Sequence, residues 1–237
     1  MSTRMITRAL LLLASAGLLT ACPKPVRPPE RAPAAPTAPA EVRDATVYDV
    51  DPETSTLHVL VYRGGALARL GHNHVMSVRG LQGRLWVHAM TTKSGFDVSF
   101  PVARMIVDDP EARRAAGSDF PPDVPEADRD GTRRNMLRAE VLDAGRYPTI
   151  SLKSVNIAGS AANAQVTAQV TIRDVSREVS LQPAISIEAD RVTVRGKLDL
   201  LQSDFGIKPF SAALGALTVQ DRLHVTFEVV AVRRRDP

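Results

Sequence analysis

A chain of 237 residues, 44% apolar and 24% charged, has room for one large β domain or two small ones, and no segment repeats at a fixed period, which sets solenoids aside. The net charge of +4 falls by two if Arg4 and Arg8 leave with an export signal, too little to argue for a nucleic-acid partner. The single cysteine, Cys22, rules out a disulfide within the chain.

Arg4 and Arg8 precede an apolar run from Ala9 to Leu19, short for a bilayer span but suited to the core of a secretory signal. The run ends in Leu19-Thr20-Ala21-Cys22, which resembles the bacterial lipobox, where cleavage before the cysteine leaves its thiol to carry lipid. Residues 1–21 are therefore read as a lipoprotein signal peptide and Cys22 as the membrane anchor. Several acyl chains, at ~0.8 kcal/mol per buried methylene, would make that attachment effectively permanent. Pro23, where an Asp would suggest retention at the inner membrane, favours the periplasmic face of an outer membrane. Residues 22–44 form a Pro/Ala-rich linker that cannot bury enough apolar surface to fold. At about 3.1 Å per residue, its twenty or so residues reach roughly 60 Å from the anchor.

Short alternating runs begin at Ala45. Thr46 to Val50 predicts a first strand, and Ser55 to Tyr62 a second, stopped by Gly64-Gly65. The stretch from Leu70 to Gly80 reads as a third, with His72, His74, Met76 and Val78 on one face and Asn73, Val75, Ser77 and Arg79 on the other. Leu81 to His88 and Phe96 to Val102 follow as half-buried antiparallel strands. The middle of the chain changes character. Asp109-Pro110-Glu111 predicts a capped helix through about Ala116, then a loop from Asp119 to Asp130, then a second helix over Arg133 to Leu142. Strand patterns resume over Thr149–Ile157, Ala164–Ile172, Glu178–Ile187, Arg191–Leu200 and Leu223–Val232. The fold class is all-β: an antiparallel barrel or sandwich over residues 45–233, with one or two short helices inserted mid-chain and a basic, solvated tail at 234–237.

Three motifs carry a family resemblance. Arg146-Tyr147-Pro148-Thr149-Ile150-Ser151-Leu152-Lys153-Ser154, Ala168-Gln169-Val170-Thr171-Ile172-Arg173-Asp174-Val175 and Ser203-Asp204-Phe205-Gly206-Ile207 resemble, in order and spacing, the strand entry, hairpin and closing motifs of the YceI-like proteins. Those are exported, lipocalin-like barrels that bind polyisoprenoid or other long-chain lipids. The resemblance runs from about Tyr48 to Val232. It departs at Gln202, where many relatives carry Arg, and at Asn135, where Asp is usual. It implies a lipocalin-like β-barrel with an elongated internal cavity, occupied by a long-chain lipid or isoprenoid. Leu57, Val59, His72, His74, Met76, Leu85, Val98, Phe100, Val170, Phe205 and Phe227 are the expected lining. With only 4% aromatic residues the interior is short of bulky filler, which favours a cavity over a solid core. Further expected partners are the membrane, through lipidated Cys22, and a second copy of the chain in a homodimer.

The His72-Asn73-His74 spacing admits three uses. Two imidazoles at i and i+2 on a strand can chelate one ion: copper if Met76 joins them, zinc if a third nitrogen comes from His58, His88 or His224. They can equally bond the polar head of a ligand at a cavity mouth, or serve structure alone. Asp128-Arg129-Asp130-Gly131 lacks the remaining ligands of a calcium loop, and one of Asp108 and Asp109 is accounted for as the cap before Pro110. Neither a G-x-S-x-G elbow, an H-E-x-x-H helix nor a phosphate loop occurs, so the sequence carries no enzyme signature.

Overall fold

The computed structural model of the protein describes residues 44–234. The expected signal peptide, the Cys22 anchor, the linker up to residue 43 and the last three residues of the tail lie outside the described residues.

Among the described residues the strands are β1 (Ala45–Val50), β2 (Thr56–Gly64), β3 (His74–Ser77), β4 (Gln82–His88), β5 (Gly95–Pro101) and β6 (Ile106–Val107). Helices α1 (Pro110–Ala116) and α2 (Glu126–Leu137) follow. The chain continues as β7 (Thr149–Ala158), β8 (Gln165–Ile172), β9 (Val175–Leu181), β10 (Ala184–Ile187), β11 (Arg191–Leu201), β12 (Ser211–Ala212) and β13 (Leu217–Arg233). Neither helix is long and apolar enough to cross a membrane.

Alternation does what the sequence leads one to expect. In β8, Val166, Ala168, Val170 and Ile172 are all buried and the residues between them are not. Helix α1 opens as predicted: the Asp109 side chain accepts from the backbone N–H groups of Glu111 and Ala112, both at 3.0 Å, with Pro110 at the first helical position.

Four elements differ in extent from the sequence reading. Helix α2 starts at Glu126, seven residues before the expected Arg133, because Pro125 followed by Glu126 and Asp128 makes a good helix start. It ends at Leu137, and Asp128 to Gly131 are helical rather than a loop. The strand expected over Leu70 to Gly80 narrows to β3, with His72 and Asn73 just ahead of it. The strand expected over Glu178 to Ile187 is two, split at Pro183, which has no N–H to give a ladder. Finally, β13 begins six residues early and absorbs a register shift between Val219 and Leu223.

All ladders are antiparallel, and they wrap into a lipocalin-like β-barrel. One edge of β13 pairs with β11 from Arg222 to Val232. Its other edge pairs first with β2, through Val225 opposite Val59, and then with β1, through Ala231 opposite Val50. From β1 the wall continues through β4, β5, β7 and β8 to β9, which approaches β11 without a ladder. From β2 it continues through β3 to β6, where the chain leaves for α1. The inward faces form one large apolar cluster that includes Leu57, Phe100, Val170 and Val225.

Candidate functional site

Two adjacent apolar chambers occupy the barrel. The first, about 210 Å³, lies at the end covered by α2 and the turn around Phe205, and the second, about 190 Å³, lies toward the β4–β5 and β7–β8 connections. Leu57, Leu152, Leu198 and Val225 line both, so they form the boundary between them.

Ten of the eleven residues expected to line a cavity stand on these walls. Val59, His74, Met76, Phe100, Val170 and Phe205 line the first chamber, Leu85, Val98 and Phe227 the second, and Leu57 both. His72 lines neither. It precedes β3, a third of its side chain is exposed, and it sits beside the first chamber rather than on its wall. The polar groups reaching the first chamber are few: His74, Thr132, Asn135 and Gln202. Asn135 and Gln202 thus both face the interior. Gln202 donates from Nε2 to the Gln220 carbonyl at 2.8 Å.

Beside this chamber the histidines meet a carboxylate that the sequence reading passed over. Asp108 takes a left-handed backbone (φ 54°) at the end of β6, a conformation Asp tolerates, and its side chain is fully buried. The Asp108 N–H donates to the Val75 carbonyl at 2.8 Å, tying the turn to β3. Oδ1 accepts from the Val75 N–H at 2.9 Å and from Arg113 Nη1 at 2.5 Å. Oδ2 accepts from His74 Nδ1 at 2.7 Å and lies 3.9 Å from His72 Nε2. The two imidazoles meet edge to face, with centroids 4.5 Å apart. Arg113, also fully buried, extends the network to the carbonyls of Asn73 at 2.6 Å and Pro121 at 2.5 Å. Asn73 points the other way, accepting from the Arg63 N–H and donating to the Asp119 carbonyl. The strand alternation that puts His74 on the chamber wall therefore uses Asn73 as a fastening on the outer side.

Burial alone would raise the pKa of Asp108. The His74 hydrogen bond and charge, the Val75 N–H and the Arg113 guanidinium outweigh it and hold the carboxyl below its ordinary value. His72 is held below the ordinary imidazole value, first by burial and then by His74, against a smaller opposing pull from Asp108. Its ring is neutral at pH 7, with a nitrogen lone pair to offer.

The third nitrogen sought among His58, His88 and His224 does not come from them. His58 pairs with the Ser77 hydroxyl at 3.1 Å, His88 accepts from the Met90 N–H at the far end of the barrel, and His224 lies 2.7 Å from Asp199 on the outside. The third atom that converges with the two histidines is Asp108 Oδ2. Its signal was present in the sequence: only one of Asp108 and Asp109 is needed to cap α1. Ser203 likewise has a structural partner, its N–H and hydroxyl both donating to Asp221.

Comparison with curated protein sequences finds no match. Among solved structures, BcnA of Burkholderia cenocepacia is similar with a TM-score of 0.57 and 14% identity, over 77% of this chain and 99% of that one. A polyisoprenoid binding domain from Saccharophagus degradans is similar with a TM-score of 0.53 and 11% identity, over 80% of this chain and 99% of that one. At such identities the likeness speaks for the fold. The model of the YceI-like domain matches residues 48–231, most of the chain and nearly all of the barrel, and the protein belongs to the YceI-like family.

Proposed function

We propose that the protein is a membrane-anchored periplasmic carrier that holds a polyisoprenoid or other long-chain amphiphile along the two chambers. The observation that carries this reading is the pair of adjacent, almost wholly apolar chambers with a few hydrogen-bonding groups at one end. Each methylene moved from water onto such walls gains about 0.8 kcal/mol, and the polar groups would fix which end of the ligand stands where. The Saccharophagus degradans domain, of similar fold, is described as polyisoprenoid binding, which supports the same ligand class here. In this reading Cys22 carries the lipid anchor, the Pro/Ala-rich segment holds the barrel clear of the headgroups, and the outer membrane is the site of attachment.

Organic extraction of the natively purified full chain, followed by mass spectrometry, tests the ligand. A stoichiometric long-chain amphiphile is the expected result. Repeated failure both to find one and to load one would overturn the reading. Anchoring is tested separately, since Cys22→Ser should move the protein from the membrane to the soluble fraction without changing what the barrel holds.

A further inference from the structure

We propose that His72, His74 and Asp108 form a binding site for one divalent transition-metal ion of the zinc class, at the edge of the first chamber. Among the described residues this is a group whose ligand atoms converge: one donor atom from each lies within 4.8 Å of the other two. Around a four-coordinate zinc with bonds of about 2.0–2.1 Å, neighbouring donors stand roughly 3.3–3.5 Å apart. The observed separations from Asp108 Oδ2, 2.7 Å to His74 Nδ1 and 3.9 Å to His72 Nε2, bracket that spacing.

Three features point to a built site. Asp108 is fully buried and its Oδ1 is committed to the Val75 N–H and Arg113, which leaves Oδ2 turned to the histidines in a fixed orientation. Asn73, between the two histidines, is held by both ends of its amide, so the backbone that spaces the rings is held as well. His72 Nε2 is shielded from solvent, has no hydrogen-bond partner, and stands 3.9 Å from Oδ2. A purely structural role explains the His74–Asp108 bond but leaves that nitrogen unexplained.

The donor set selects the ion. Two imidazoles and one carboxylate, with no thiolate, suit zinc and its neighbours in the first transition row, and not calcium or magnesium, which take oxygen ligands. His74 donates Nδ1–H to Oδ2 when metal-free; on binding, that hydrogen leaves Nδ1, for Nε2 of the same ring where that nitrogen is free and for solvent where it already carries a proton, and the Nδ1 lone pair goes to the ion. Three protein ligands leave a fourth position for water, and the third of the His72 side chain that is exposed marks the way in. The Arg113 charge beside Asp108 subtracts from the pull on a cation, so the ion should exchange and its removal should leave the barrel folded.

The experiment uses the tag-free full chain, freed of metal by a chelator and of lipid by extraction, titrated with Zn²⁺ against a chromophoric competitor and with Co²⁺ by visible absorption. One ion per chain is expected, with the ligand-field bands of a four-coordinate Co²⁺ site. Affinity should fall at least about tenfold and the bands should vanish in His72→Ala. His72 is partly exposed, so this variant should fold, as circular dichroism would verify. If it does not, His72→Gln replaces it with the same expectation. Failure of the wild type to take up one ion, or equal binding and equal spectra in the wild type and the His72 variant, would overturn the proposal. Neither result bears on the lipid reading, which is tested on metal-free protein.

Discussion

Replacing Val225 with Phe places a ring at the boundary between the two chambers. Val225 stands in β13 opposite Val59 on β2 and Leu198 on β11, and its side chain lines both chambers. Aromatic residues are at home in strands, and the ring would fill existing space, so the stability change should stay within about 1–2 kcal/mol. The effect on a bound tail should be large. Each isoprene unit withdraws five carbons from water, a gross gain of about 4 kcal/mol at ~0.8 kcal/mol per carbon, reduced by the ordering of the tail. A net gain of about 1.4–2.8 kcal/mol makes each added unit worth roughly tenfold to a hundredfold in affinity until the second chamber is full. In Val225→Phe that growth should stop at the length that fills the first chamber, about 210 Å³. The assay is a series of prenols of increasing length, titrated into delipidated protein and followed by tryptophan emission. Trp86 is the sole tryptophan and lines the second chamber, so it reports when a tail arrives there. Short prenols should bind both proteins alike. Long ones should lose their extra affinity and leave Trp86 undisturbed in the variant. A wild-type affinity that is flat with length, or identical curves for the two proteins, would refute the reasoning.

Arg113→Met strands the Asp108 carboxylate in a buried site and should destabilise the barrel by about 3–5 kcal/mol in urea unfolding. Gly83→Ala should lose about 2–4 kcal/mol by the same measurement. Gly83 has φ 137°, and a Cβ there would stand 2.1 Å from the Asp97 carbonyl oxygen across the β4–β5 ladder. Acid should weaken the fold in two stages. His58 is held below its ordinary value of 6.5, mainly by burial and further by Arg79, with Asp109 opposing. The unfolded chain therefore gains a proton near pH 6.5 that the folded one resists. Stability is whole above that pH and declines as pH falls toward the folded value; His72 adds to the same slope. Denaturant midpoints between pH 8 and pH 5, measured with chelator present, should show a gentler slope in His58→Gln. Asp108 adds a further loss only below its ordinary value of 3.8, as pH falls through its depressed folded value.

Strand alternation was enough to sort the wall residues. Period-two patterns around Leu57, Val98, Val170 and Phe227 survive in any antiparallel barrel, because register shifts of one would turn each apolar set outward. The histidine cluster was only half legible. His72 and His74 announce themselves by spacing, whereas Asp108 is 34 residues from His74 and reaches it only because β6 pairs with β3 through Val107 and Met76. Local patterning carries no record of such a pairing, and a two-residue strand such as β6 leaves no period to read. The misplaced start of α2 has a different origin: Gly131 looked like a helix boundary, but it sits inside the helix, where the acidic first turn after Pro125 outweighs its local penalty.

The seventeen residues of β13 have a consequence for how the barrel forms. Every other strand among the described residues precedes it, yet it supplies the partner edge for β11, for β2 and for part of β1. Until β13 arrives, those edges stand open, and the contacts that close the wall link residues as distant as Val50 and Ala231. Closure is therefore a late event dominated by non-local pairing, which is slow and leaves unpaired edges exposed to other chains in the interval. If the chain is exported through a membrane pore, as proposed above, it would emerge with its first strands waiting for its last. Its yield should then depend on whatever shields those edges during transit, and removal of β13 should abolish the fold as a whole rather than trim one strand from it.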